Sequence, residues 1–300
     1  ELSSSDLGFI LGPRLNAAGR LEDMAIGIEC LLAESAFAAR PLAQQLDDLN
    51  RERRDIEANM QEEALAQLST VEVDDEALKF GLCVYNKSFH QGVVGIVAAR
   101  LRERYHRPTI VFAEAGNDEL KGSGRSIPGV HIRDVLDHVA TTHPDLIGKF
   151  GGHAMAAGLS LHHKDLNQFQ EAFNTAVALA LEHVPPEPVV MTDGELAMEE
   201  LNLHSAEAIA AAGPWGQHFP EPVFEGSFVL VDQRLLKDKH LKLTLEAEGE
   251  NFEAIAFNVD RECWPNDQVA RVRIAYQPDI NSYRGERRLQ LMIRHLWPES

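Results

Sequence analysis

The sequence predicts an α/β domain followed by a small all-β barrel, with a long connecting helix and a short helical lead in front. Three observations carry this prediction. Leu42, Leu46, Leu49, Ile56, Met60 and Leu68 recur at steps near three and four, the stripe of an amphipathic helix. From Phe80 onward, buried-strand and helix patterns alternate, as an α/β layer requires. After Pro188, short strands separated by turns replace them.

The lead, residues 1–35, contains GPRLNAAGRL, where Pro13 fits a first helical turn because its missing N–H is not needed there. Asn16 and Arg20, four apart, share one face of that helix. Residues 36–76 hold the long helix, expected to start at Pro41, and an acidic linker over Glu72–Glu76. Residues 77–186 form the α/β domain. Its strands are FGLCVYN, PTIVFAE, LKGSGRS and Met155–Leu161; its helices are GVVGIVAARLRERY, Ile132–Thr142 and Leu166–Val184. Pro185, Pro186 and Pro188 make a stiff break. Residues 187–300 carry FEGSFVLVDQRLL, HLKLTLEAE, FEAIAFNV, QVARVRIAYQPDI and RRLQLMIRHLWP, strands suited to a closed OB-like barrel.

Composition narrows the function classes. With 44% hydrophobic and 25% charged residues, the 300-residue chain is ordinary globular material, neither disordered nor disulfide-dense. Its longest uncharged apolar stretch, Gly92–Ala99, is far too short to cross a bilayer. Cys30, Cys83 and Cys263 are widely spaced, which predicts reduced and mostly buried thiols in a cytoplasmic protein. The chain opens on Glu1 without a signal segment and is expected to be a piece of a longer protein.

The net charge of −19 argues against a nucleic-acid partner, but it is unevenly spread. It is −10 over residues 1–80, −1 over 81–187 and −8 over 188–300. Arg271, Arg273, Arg284, Arg287, Arg288 and Arg294 crowd the last strands and predict a local basic surface.

Three segments of the α/β domain can carry chemistry. In NKSFHQGVVGIVAARL, a strand leads through Lys87 and His90 into a helix near Gly92, whose free N–H groups suit an anion. GSGRSIPG places Ser123, Arg125 and Ser126 among Gly122, Gly124 and Gly129, donors beside a backbone that a ligand can approach. FGGHAMAAG sets His153 after Gly151 and Gly152, where an imidazole can donate to a phosphate. Taken singly, each also fits a plain turn or a structural histidine.

Together with GPRLNAAGRL at the front and GPWGQHFPEPVFEG leading into the barrel, these segments resemble the C-terminal portion of the bacterial RecJ nuclease family, in the DHH phosphoesterase superfamily. The resemblance covers essentially the whole chain. It departs at WGQHFPEP, where the family pattern has Gly-Asn-Pro.

The resemblance implies the DHHA1 and OB-fold parts of a single-stranded-DNA-specific 5′→3′ exonuclease of DNA repair and recombination. It implies Mn2+ or Mg2+ held by an N-terminal DHH domain. No Asp-His-His triplet and no Asp-x-Asp occurs here, so residues 1–35 would be only the tail of that domain and this chain alone would hydrolyse nothing. By the same resemblance, Asn16, Arg20 and His153 would meet the scissile phosphate. His90, Gly92, Gly151 and Gly152 would hold the backbone, and Ser123, Arg125 and Ser126 the 5′ phosphate. Single-strand-binding protein and a helicase are implied partners, and no membrane. For the barrel, Phe257, Trp264 and Tyr276 are candidates for base stacking, although more than half of them are expected in the core, because an apolar barrel interior needs them. Two alternatives stand beside this reading: a DHHA1-type phosphodiesterase for short oligonucleotides or cyclic dinucleotides, and a non-catalytic docking module.

Overall fold

The computed structural model describes residues 6–69, 80–182, 189–216, 218–237, 239–261, 263–283 and 285–299. The acidic linker at 72–76, the triple-proline break and Arg284 lie outside them. Two compact units divide the chain, 1–188 and 189–300.

In the first unit, a π-helical turn at Leu7–Leu11 leads into α1 (Gly12–Leu21), with Pro13 in its first turn as expected. Helix α2 (Ala25–Leu32) follows, and then α3 (Ala36–Ser69), a rod of about 50 Å at 1.5 Å per residue. Pro41 does not start α3 but lies within it. The start is set by Ser35, whose Oγ accepts the Ala38 N–H at 3.2 Å as a cap does. Leu46 and Leu49, toward one end of the rod, pack on Ala17 and Ala18 of α1. Met60 and Ala64, toward the other, pack on helix α4 (Val94–Tyr105).

The sheet runs β1-β2-β3-β5-β4, comprising β1 (Leu82–Tyr85), β2 (Thr109–Gly116), β3 (Glu119–Arg125), β4 (Lys149–Gly152) and β5 (Ala156–His162). Only β1 and β2 are parallel, joined across α4; every other pairing is antiparallel. The sequence does not predict β4, because two of its four residues are glycines, which disfavour a strand reading. One face of the sheet is covered by α5 (Ile132–Thr142) and α6 (Leu166–Leu181) around Phe112, Phe169 and Phe173. The other face is covered by α4, which lies over β2 and β3, in a cluster that takes in Val84 and Val111.

The second unit begins with α7 (Leu203–Ala212), which the sequence pattern does not predict. Its barrel is closed by β6 (Phe224–Leu236), β7 (His240–Ala247), β8 (Glu250–Ala256), β9 (Arg271–Tyr283) and β10 (Glu286–Glu299), in the order β10-β8-β7-β6-β9. Along β7, Leu241, Leu243 and Leu245 point inward and the residues between them are less buried, the alternation that a barrel wall requires.

The cysteines are free, but only Cys83 is buried; Cys263 is exposed on a turn, which corrects the expectation of mostly buried thiols. Tyr276 is buried in the barrel core, where desolvation, and then the charge of Glu195, push its phenol up to about 12. Between the unfolded phenol's ordinary value near 10 and this one, only the unfolded chain loses the proton, so stability falls as pH rises. Thermal melts between about pH 10 and pH 12 should therefore show the barrel losing up to about 2–3 kcal/mol, with Tyr276→Phe flattening that dependence.

Candidate nucleic-acid interface

The loop after β1 turns into α4 through His90. Its carbonyl accepts the N–H of Val93 at 3.0 Å and of Val94 at 3.2 Å, and its Nδ1 accepts the N–H of Gly92 at 3.1 Å. These three N–H groups are therefore engaged internally, so the expected open ring of backbone donors at Gly92 is not what meets a ligand there. Accepting at Nδ1 leaves the neutral imidazole proton on Nε2.

Cationic side chains gather at this place instead. Arg20, at the end of α1, donates from Nη1 to Gly92 O at 3.1 Å. The approach is closer still at the backbone, because a Cβ on Gly92 would lie 2.1 Å from Arg20 O. Across α4, a Cβ on Gly95 would lie 2.8 Å from Arg125 Nη2 and 2.9 Å from Ser123 Oγ. Arg125 donates from Nη1 to Ser123 Oγ at 3.0 Å and to Gly124 O at 2.8 Å. Its guanidinium is held below the ordinary arginine range, first by burial and then by the charges of Arg20 and Arg102. Among the described residues neither Arg20 nor Arg125 has an ion-pair partner. Like charges brought together without a counter-ion are what an anion relieves.

Arg102 is the member that the sequence does not single out. It is two turns along α4 from Gly95, on the same side. Its Nη2 meets Glu103 at 3.2 Å, while its Nε is buried without a partner. A glycine inside an otherwise good helix was the available signal, since it marks a close approach and hence the face to search.

The GSGRS segment works differently from the expectation that its glycines face a ligand. A Cβ on Gly122 would meet Phe112 Cε1 at 2.5 Å, and one on Gly124 would meet Ile132 Cδ1 at 2.6 Å, so both glycines face the core. Ser123 and Arg125 occupy the opposite face, toward α4. Ser126 is corrected as well: it is buried and donates its hydroxyl to Val130 O at 2.6 Å, which leaves it shaping the turn and out of reach of a ligand.

Asn16 is exposed on α1 with Arg20. Gly151 and Gly152 lie on the same sheet as Ser123, on β4 with β5 between, and His153 directly follows them. Gly151 pairs with Gly158, which pairs with Ser123, a span of about 10 Å for two strand spacings. Exposed His153 bonds through its N–H to Ala156 O at 2.8 Å, and Ala156 pairs with Arg125. Gly152, at φ +149, is a structural glycine, because a Cβ there would lie 2.3 Å from Ala156 O.

In the barrel unit, Trp264 and Tyr276 belong to the core, in line with the expectation that most of these aromatics fill the barrel, and only Phe257 of the three is exposed, edge-on to His240. The stacked pair His295 and Trp297 was not anticipated. Nor do the arginines make a free basic face. Arg271, Arg273, Arg287 and Arg288 pair with Glu299, Glu225, Glu207 and Glu286. Among the described residues no group of three or more His, Cys, Asp or Glu side chains is placed to hold a metal ion, so the donors present do not fit a metal centre. No described helix is long and apolar enough to cross a membrane.

Two glycine substitutions separate packing from binding. Gly92→Ala strikes backbone and should lower stability by about 1–3 kcal/mol in a thermal melt. Gly95→Ala should leave the melting temperature unchanged or higher, since alanine favours the helix, yet displace the ends of Arg125 and Ser123. On the sequence expectation that these two residues take a 5′ phosphate, it should weaken binding of a 5′-phosphorylated deoxyoligonucleotide about tenfold in a titration.

Comparison with known proteins agrees with this architecture. Residues 79–179 match the model of the DHHA1 domain, and residues 192–295 that of the RecJ OB domain. The chain is 53% identical over 300 residues to the single-stranded-DNA-specific exonuclease RecJ of Dickeya dadantii, covering 99% of this chain and 52% of the relative. The Escherichia coli protein of the same name is 49% identical, with the same coverage. The chain thus spans about half the length of the curated relatives it matches. Among solved structures, RecJ of Thermus thermophilus in complex with Mg2+ is similar at a TM-score of 0.79 and 25% identity, over 99% of this chain and 44% of that one. This chain therefore carries a DHHA1 domain and a RecJ OB domain in order, and over nearly all its residues it is similar to about half the length of the RecJ exonucleases.

Proposed function

We propose that this chain is the strand-gripping half of a 5′→3′ single-stranded-DNA exonuclease acting in DNA repair and recombination in the cytoplasm. The observation that carries the reading is the pair Arg20 and Arg125, unneutralised beside Arg102 and gathered around Ser123 and Gly95. The relatives are named as single-stranded-DNA-specific exonucleases, which makes a DNA phosphate the anion of choice.

Arg125, fixed by Ser123, takes the 5′ phosphate; its planar donors match phosphate oxygens. Anchoring one strand end sets polarity, because the bond to be cut is then counted from that end. Asn16, Arg20 and His153 border the neighbouring phosphate, with His90, Gly92, Gly151 and Gly152 shaping the channel. Hydrolysis, with Mn2+ or Mg2+, belongs to a DHH domain that residues 1–35 complete, and this chain alone cuts nothing. Single-strand-binding protein and a helicase would supply its substrate. A phosphodiesterase for short oligonucleotides is disfavoured by the RecJ OB match over residues 192–295.

Fluorescence anisotropy with single-stranded DNA tests the reading. Affinity should fall as salt rises, and a 5′-phosphorylated strand should bind about tenfold tighter than its 5′-hydroxyl counterpart. Arg125→Ala should erase that preference. Arg288→Ala, whose guanidinium already sits on Glu286, should not. Equal binding of both strand ends by the native chain would overturn the assignment.

A further inference from the structure

Helix α4 lies over β2 and β3, against Ser123 and Arg125, and beyond it on the same side β5 and β4 present their alternate residues outward. Strand register sorts those residues into three rows. Arg125 stands opposite Ala156, which bonds to His153. Ser123 stands opposite Gly158, and Gly158 opposite Gly151. Lys121 stands opposite Ser160, and Ser160 opposite Lys149.

The middle row has almost no side chains. A Cβ on Gly151 would meet nothing within 4 Å, and one on Gly158 would meet only Gly122 O, at 3.9 Å. Unlike Gly122 and Gly124, these two glycines look out on open space, so the sheet backbone there forms a bare floor. The third row places two exposed ammonium groups on either side of the buried Ser160, and among the described residues neither lysine has an ion-pair partner. Neighbouring rows are two residues apart along each strand, about 7 Å, which is the scale on which successive phosphates of an extended single strand repeat.

Resting on the reading of Arg125 as the 5′-phosphate anchor, we infer that Lys121 and Lys149 form a second phosphate subsite. It takes an internucleotide phosphate from the first few linkages of the same DNA strand, which lies over the floor of Gly151 and Gly158. Two lysines on strands either side of β5 act as point charges and read no base, so the subsite fixes the path of the strand without selecting sequence.

Neutralising single phosphates tests this without relying on any one variant. The probes are 5′-phosphorylated oligodeoxythymidylates of about a dozen nucleotides, each with one methylphosphonate at one of the leading linkages, titrated into the chain with EDTA present. One linkage should cost about tenfold in affinity. The variant K121Q/K149Q, checked for an unchanged melting temperature, should show that loss on all-phosphate DNA and no further loss at that linkage. Its salt slope should be shallower by about 0.7 per lost contact. Binding that is insensitive to every methylphosphonate, or sensitivity that persists in the lysine variant, overturns the second subsite. Arg125→Ala keeps the outcomes apart. Loss of the 5′-phosphate preference in that variant, with no linkage coupled to the lysines, sinks only the subsite. Retention of the preference sinks the anchor and this inference with it.

Discussion

The site depends on one backbone approach, that of α1 to the turn ahead of α4 at Gly92. No side chain larger than hydrogen fits there, and the guanidinium of Arg20 closes over the same glycine through its carbonyl. That approach needs the two helices to be held at a fixed separation, and α3 supplies it. Leu46 and Leu49 grip α1, while Met60 and Ala64 grip α4, and α3 is one continuous helix between the two contacts. Polar ties reinforce the packing: Asp47 of α3 receives Arg14 of α1 at 2.8 Å, and Glu57 of α3 receives Arg100 of α4 at 3.2 Å. Arg20 is thereby placed beside Arg125, although the two are far apart in sequence.

Holding Arg20 and Arg125 together without carboxylates is unfavourable in the free protein. The surrounding fold tolerates it because the site is centred on the part of the chain whose net charge is near zero, between segments that are strongly acidic. At physiological salt, distant surface charges are screened beyond about 8 Å, so the overall −19 does little to neutralise the cluster or to repel a ligand already in place. What it does is oppose indiscriminate adsorption of polyanions elsewhere. The barrel arginines fit the same pattern, since glutamates occupy four of them.

Much of this was legible in the sequence, and what was not has a physical explanation. The barrel strands could be read because alternation in LKLTL and RVRIA has one period and one cause, a wall with an inside and an outside. The site loops could be located because glycines, a histidine and an arginine cluster in short segments. The role of each glycine could not be read, because burial is a tertiary property: Gly122 and Gly124 face Phe112 and Ile132, and Gly95 faces Arg125 and Ser123. Ser126 failed for the same reason, its hydroxyl satisfied by a carbonyl four residues on. Strand β4 was hidden by its own composition, and Pro41 misled because α3 has its cap at Ser35 and accommodates the proline in its early turns.

The two faces of GSGRS separate core packing from the contacts proposed for a ligand. In a strand, consecutive residues face opposite ways, so a motif of alternating glycine and polar residues divides the work between its faces. The glycine face lets Phe112 and Ile132 close against the sheet, and that packing leaves the backbone of β3 little freedom to shift. On the other face Ser123 and Arg125 inherit that rigidity, and the bond from Arg125 to Ser123 Oγ fixes the guanidinium before any ligand arrives. A site on a flexible loop would have to order its arginine on binding, at about 0.5–1.5 kcal/mol for such a side chain. Placing it on a strand pinned by core glycines removes that term, and it makes the orientation of the guanidinium a property of the core packing.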